Sequence, residues 1–294
     1  MENPHKPHIQ MASHINGEFA ARRIEFRQLH ESGCFLIPNP WDEGSARWLR
    51  AKGFKALATT SAGYAWTKGR ADQGVALDLM ISYIREMVQA TPDLPVNADF
   101  ENGYAGDDVA LAHNIEQCIA TGVSGLSIED ATGDPAQPLY DFDTALRRIK
   151  VARQAVMSSE SGVLLTARAE AFLHNHPTPL AEVCKRLGAF ADAGADVLYA
   201  PGLKTAKEIS EVVAAAGGKP VNVVMFNDFG LTMNDLAQLG VRRVSIGSAL
   251  AKAAWTGFTK AVDDLTNGHF QAFAQNMGSA ALNNFFAEDS KRRV

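Results

Sequence analysis

The chain has 294 residues, of which 46% are hydrophobic and 21% charged, and its formal net charge is −5. This composition excludes a wholly disordered or collagen-like chain, and the mildly acidic balance supplies no broad basic surface for nucleic acid or anionic lipid. No apolar run reaches the roughly 18 residues of a membrane span. The polar start lacks a secretory signal core, and three scattered cysteines (Cys34, Cys118, Cys184) argue against a disulfide framework, so a cytoplasmic protein without membrane or nucleic-acid partners is expected.

Residues 1–14 read as a flexible tail and 15–294 as one domain. From Gly17 to His30 a short amphipathic helix leads in. Short apolar runs then alternate with segments of helical period. The runs begin at Phe35, Ala56, Val96, Leu126, Val163, Val197, Val221 and Val244. Between them, Asp107 or Asp108 can cap a helix whose Leu111, Ile115, Cys118 and Ile119 share a face, with Gly122 suited to its exit. Further helical faces are set by Phe142 to Val156 and by Val183, Leu187 and Phe190. Continuous apolar strands separated by helices imply parallel βαβ units covered on both faces. About eight such strands suit a closed (β/α)₈ barrel of TIM type better than an open doubly wound sheet. The stretch Phe258 to Ala287 reads as an extra C-terminal helix, rich in aromatics that suit a subunit contact, so a homo-oligomer is expected.

Active sites of such barrels form at the C-terminal strand ends. Those ends carry Asp99 and Glu101 after the third strand, Glu129 after the fourth and Arg168 after the fifth. The carboxylates offer only hard oxygen ligands, which suit Mg²⁺ or Mn²⁺ rather than zinc, with one direct ligand and two acting through water. The competing reading makes them helix caps and loop acids. Arg168 offers a planar fork for a carboxylate, or else pairs with Glu170 or Glu129. Ser61 with the amides of Ala62 and Gly63 can form an anion-binding turn. Asn222 is either a pocket residue or a structural amide. His174 and His176 read as loop residues.

These strand ends, in this order, resemble the isocitrate lyase/phosphoenolpyruvate mutase superfamily. The matching pieces are NPWDEGSA at 39–46, TTSAG at 59–63, ADFENGY at 98–104, SIED at 127–130 and TARAEA at 166–171. The resemblance implies a barrel that is commonly a tetramer with the last helix swapped between subunits. It also implies Mg²⁺-dependent cleavage of a C–C or C–P bond in a small 2-oxo or 2-hydroxy carboxylic acid, through a metal-stabilised enolate. By position, Asp99 resembles the direct metal ligand, with Glu101 and Glu129 holding the ion through water. Ser61, Ala62, Gly63 and Arg168 resemble the substrate-carboxylate site, and Asp72 the aspartate that reaches over the substrate. Arg168, Asp72 and Glu129 are thus the expected catalytic groups, and Asn222 an added substrate contact. The lyase branch carries K-K-C-G-H after its fourth strand; here the chain reads EDATGDPAQPLYDFDTA, without cysteine, lysine or histidine. The pattern is closest to mutase-like members that include an oxaloacetate decarboxylase. Phosphoenolpyruvate mutase-like phosphoryl transfer, a sugar-phosphate enzyme using residues 245–249, and a non-catalytic 2-oxo acid binding protein are the alternatives.

Overall fold

A computed structural model describes residues 6–291. Of the tail expected at 1–14, residues 1–5 lie outside the described part, and helix α1 (Lys6–Leu29) begins at the sixth residue. Eight strands follow: β1 (Phe35–Ile37), β2 (Leu57–Ala58), β3 (Val96–Asp99), β4 (Gly125–Glu129), β5 (Leu164–Arg168), β6 (Val197–Tyr199), β7 (Val221–Val224) and β8 (Arg243–Ser245). Every ladder is parallel, in the order β1-β8-β7-β6-β5-β4-β3-β2. The Ala58 amide donates to the Pro38 carbonyl at 3.0 Å, which draws β2 against the end of β1 and nearly closes the ring. The fold is the expected TIM-type barrel. Its strands read as unbroken apolar runs because each is covered on both faces.

The connecting helices are α2 (Glu43–Ala51), α3 (Ser61–Thr67), α4 (Leu77–Ala90), α5 (Asp108–Ile119), α6 (Phe142–Ser158), α7 (Pro179–Asp192), α8 (Ala206–Ala215) and α9 (Met233–Gln238). Asp107 caps α5 by accepting from the Ala110 amide, and Leu111, Ile115 and Cys118 are fully buried on its inner face. Gly122 leaves that helix at φ 94°, a left-handed conformation that glycine adopts without strain.

The amphipathic lead-in belongs to α1, which lies across the N-terminal ends of the strands. Arg23 donates to the carbonyls of Val123 (3.0 Å) and Ser161 (3.2 Å), just ahead of β4 and β5. Phe26 is fully buried against Ile37, Ala58, Leu164 and Val197. This plug requires a glycine at the start of β4: a Cβ on Gly125 would stand 2.7 Å from the Phe26 ring and 2.6 Å from Asn97 Oδ1.

The C-terminal stretch, expected as one helix, is divided. Helix α10 (Ala249–Thr266) gives way to Gly268, whose φ is 74°; a 3-10 turn, Gln271–Gln275, and α11 (Ser279–Lys291) follow. α11 packs on α2 of its own chain, with Phe285 4.1 Å from the Trp48 ring and Asp289 within 3.2 Å of Arg47 and 3.4 Å of Arg50. Among the described residues, no helix is long and apolar enough to cross a membrane.

Candidate active site

Strand register sets the site. Asp99 ends β3, Glu129 ends β4 and Arg168 ends β5; Glu129 pairs directly across from Arg168, and Arg168 across from Tyr199. Because all eight strands are parallel, their C-terminal ends share one rim, and these side chains meet there. The Asp99 amide donates to Thr59 Oγ1 at 2.8 Å rather than to a carbonyl, which fixes the strand end.

Arg168 is the centre of the cluster. Its guanidinium donates to Asp99 Oδ1 at 2.5 Å and Glu170 Oε1 at 2.9 Å, and lies 3.1 Å from Glu129 Oε2. Its other face covers the Tyr199 ring at 5.0 Å. The second Asp99 oxygen accepts from the amide (3.0 Å) and hydroxyl (2.8 Å) of Ser61. Both sequence readings of Arg168 therefore meet in one place: it faces the cavity, and it is paired with Glu129 and Glu170 as well as Asp99.

Electrostatics follow from crowding. Burial, with help from the Asp99 charge, raises Glu101 to about 7. Glu170 rises to about 7 and Glu129 well above the usual carboxylate range, both through burial that outweighs the attraction of Arg168. Burial opposes the charge of Arg168, but Glu170, Glu129 and Asp99 more than offset it and keep the guanidinium protonated. At the rim, partial enclosure and the Asp99 charge raise the Asp72 carboxyl. Five carboxyl groups thus stand around one guanidinium, and their crowding favours protonation of the buried ones.

The cavity they surround has a volume of about 320 Å³. Ser61, Ala62, Asp72, Asp99, Arg168 and Asn222 all line it. Gly63 does not: its amide donates to Thr60 Oγ1 at 3.1 Å, capping α3, and a Cβ there would stand 2.6 Å from the Thr60 methyl. Glu101 and Glu129 sit behind the wall, 8% and 6% exposed. The loop carrying Glu101 is held by left-handed backbone at Glu101 (φ 46°), Gly103 (φ 80°) and Tyr104 (φ 55°). Non-glycine residues reach that region only where surrounding packing imposes it.

No three acidic, histidine or cysteine groups among the described residues stand close enough to form a direct ligand cage. An all-oxygen set with one carboxylate facing the cavity and two behind it fits a hydrated hard cation that keeps most of its waters.

The loop after β4 does not reach the cavity. Ala131 bridges to Leu139, and Arg186 holds both Asp130 Oδ2 (2.9 Å) and the Tyr140 carbonyl (3.0 Å). Arg148 covers the Tyr140 ring at 4.6 Å. His174 and His176 also stand off the cavity, as does Tyr64, which stacks on Tyr83 at 4.1 Å. Among the cavity residues not singled out in the sequence are Tyr199, Arg243 and Lys252.

The sequence profile of the phosphoenolpyruvate phosphomutase family matches residues 26–266. A protein of Burkholderia cenocepacia, whose crystal structure carries only a provisional lyase/mutase designation, is 44% identical with a TM-score of 0.88, over 92% of this chain and 98% of that one. An uncharacterized protein of Mycobacterium tuberculosis is 30% identical over 231 residues, 76% of this chain and 82% of its own length. The oxaloacetate decarboxylase of Rhodopseudomonas palustris is 27% identical over 216 residues, 71% of each chain.

Proposed function

Because the chain belongs to the phosphoenolpyruvate phosphomutase family, within a superfamily of lyases and mutases, we propose that it is a Mg²⁺-dependent lyase. It cleaves a C–C bond of a small 2-oxo or 2-hydroxy dicarboxylic acid, in the manner of an oxaloacetate decarboxylase. The observation that carries this reading is the meeting of Asp99, Ser61 and Arg168 at one cavity, backed by the buried carboxyls of Glu101, Glu129 and Glu170. Asp99 would hold the ion directly, and Glu101 and Glu129 through water. When bound, the ion supplies positive charge beside the substrate's ketone oxygen as electrons arrive there. Arg168 turns from Asp99 to the substrate carboxylate, where its fork geometry makes two parallel hydrogen bonds. Ser61 orients the same carboxylate through its hydroxyl. Asp72 closes the rim and limits water. The loop at 131–141 carries no lysine, cysteine or histidine and does not line the cavity, so it offers no group to receive or pass a phosphoryl group; bond cleavage with CO₂ loss is preferred to phosphoryl transfer.

The same reading covers assembly and setting. On α10, Trp255, Phe258, Val262 and Leu265 lie on one face at helical spacing and are 42%, 58%, 37% and 43% exposed. This face suits a second copy of the barrel, giving a dimer or tetramer with the C-terminal segment exchanged. Its three cysteines are free, as befits the cytoplasm.

The test is stabilisation by Mg²⁺ with oxalate, a mimic of the enolate, together with pyruvate release from oxaloacetate. Wild type should gain several degrees in Tm with both ligands and turn over; Asp99→Ala should lose both responses. An Asp99→Ala protein that still responds to Mg²⁺ and oxalate as wild type does refutes the assignment.

A further inference from the structure

The cavity has a second positively charged end that the proposed chemistry does not use. Arg243 opens β8 and points into the barrel, where it is 3% exposed. Its Nε donates to Asn222 Oδ1 at 2.8 Å and one terminal nitrogen to Thr166 Oγ1 at 3.1 Å. The other terminal nitrogen lies 3.4 Å from His30 Nε2. His30 Nδ1 is 2.7 Å from the Phe26 carbonyl, which places the ring proton on Nδ1 and leaves Nε2 as an acceptor.

Every one of these partners is neutral. His30 is held uncharged, because burial and the adjacent Arg243 lower its pKa to about 3. Burial lowers Arg243 only to about 9, so the guanidinium keeps its charge at neutral pH. Among the described residues no carboxylate pairs with it, in contrast to Arg168, which has three. A guanidinium offers five N–H groups, and these contacts occupy three. A buried charge without a counter-ion is costly and calls for one. Arg243 lines the same cavity as Asp99 and Arg168, so an ion entering from the rim has a path to it. Ser127, Ser245 and Asn97 line the same chamber among apolar neighbours such as Ile37 and Val224; the Oδ1 of Asn97 is buried without a hydrogen-bond partner, a sign that water or ligand completes the wall.

We propose that the barrel floor at Arg243 is a binding site for a compact monoanion of carboxylate or halide chemistry, separate from the Asp99 end. The site stands apart from the enzymatic reading; only the case in which the anion is an acid group of the substrate rests on that reading.

Crystals of the wild-type protein soaked in bromide test it. An anomalous peak within hydrogen-bonding reach of the Arg243 guanidinium is expected, and bromide bound only elsewhere overturns the proposal. Arg243→Gln should lose at least tenfold in occupancy at that peak; a peak of unchanged height in the variant also overturns it. The wild-type measurement stands even where the variant does not fold. Competition then identifies the source. Displacement of bromide by succinate or glutarate, but not by oxalate, assigns the site to the distal acid group of a substrate; displacement by none of them assigns it to a free anion. Absence of any Mg²⁺ and oxalate response would defeat the enzymatic reading while leaving the bromide result intact.

Discussion

Replacing Arg168 with Met keeps most of the side-chain volume but removes the guanidinium from among Asp99, Glu129 and Glu170. Taking one partner from a buried ion pair costs about 3–5 kcal/mol. Protonation limits the damage, since a stranded carboxyl can take a proton at about 1.4 kcal/mol per pH unit above its unfolded pKa. For a glutamate of ordinary pKa 4.5, that ceiling is about 4 kcal/mol at pH 7.5 and about 1.4 kcal/mol at pH 5.5. Wild type already bears part of this cost, because Glu101 and Glu170 stand near 7. A raised carboxyl contributes stability that is complete below about pH 4.5 and is lost as pH rises through its folded value. Removing Arg168 moves that upper limit higher and deepens the loss. Urea unfolding in the presence of a chelator should therefore show Arg168→Met destabilised by about 3–5 kcal/mol at pH 7.5 and by about 1–2 kcal/mol at pH 5.5. Mg²⁺ should restore more stability to the variant than to wild type, since the cation then does part of the work of the lost guanidinium. A loss below about 1 kcal/mol at pH 7.5, or one that grows on acidification, would refute the charge-balance argument.

Two further outcomes follow from the same physics. His30 has a folded pKa near 3, so the unfolded chain takes the proton first and stability, complete above about pH 6.5, declines as pH falls toward 3. His30→Gln should flatten that decline by about 1.4 kcal/mol per pH unit relative to wild type, and parallel stability curves for the two proteins would contradict it. The double change Trp255→Ser and Phe258→Ser on the exposed face of α10 should lower the mass measured by sedimentation equilibrium, with folding preserved by circular dichroism; an unchanged mass would remove α10 as the subunit contact.

How much of this the sequence carried depends on the range of each interaction. Strand positions were legible because a barrel strand is buried on both faces, so its apolar run is visible in a few consecutive residues; the VNAD run coincides with β3. The cap of α5 was legible for the same local reason, as Asp107 acts within three residues of itself. The division of the C-terminal helix was not, because helical period survives across Gly268 even though its φ of 74° ends α10. The ends of β3, β4 and β5 could be assigned to one rim from the parallel order alone. Whether Arg168 would face substrate or bond its own carboxylates could not, since that depends on side-chain reach across 69 residues of separation to Asp99.

Arg243 shows where a signal existed and was passed over. Residues 242 and 243 are adjacent arginines where the chain enters β8. Side chains alternate faces along a strand, so the two cannot both reach solvent by the same route. Arg242 takes the outer direction and donates to the Gly33 carbonyl at 2.6 Å, which leaves Arg243 to the interior. Its partner His30 lies 213 residues earlier, in the turn just after α1, which no local pattern ties to the barrel floor. The alternation therefore announces a buried charge, while the chemistry around that charge emerges only once α1 has closed the barrel from below.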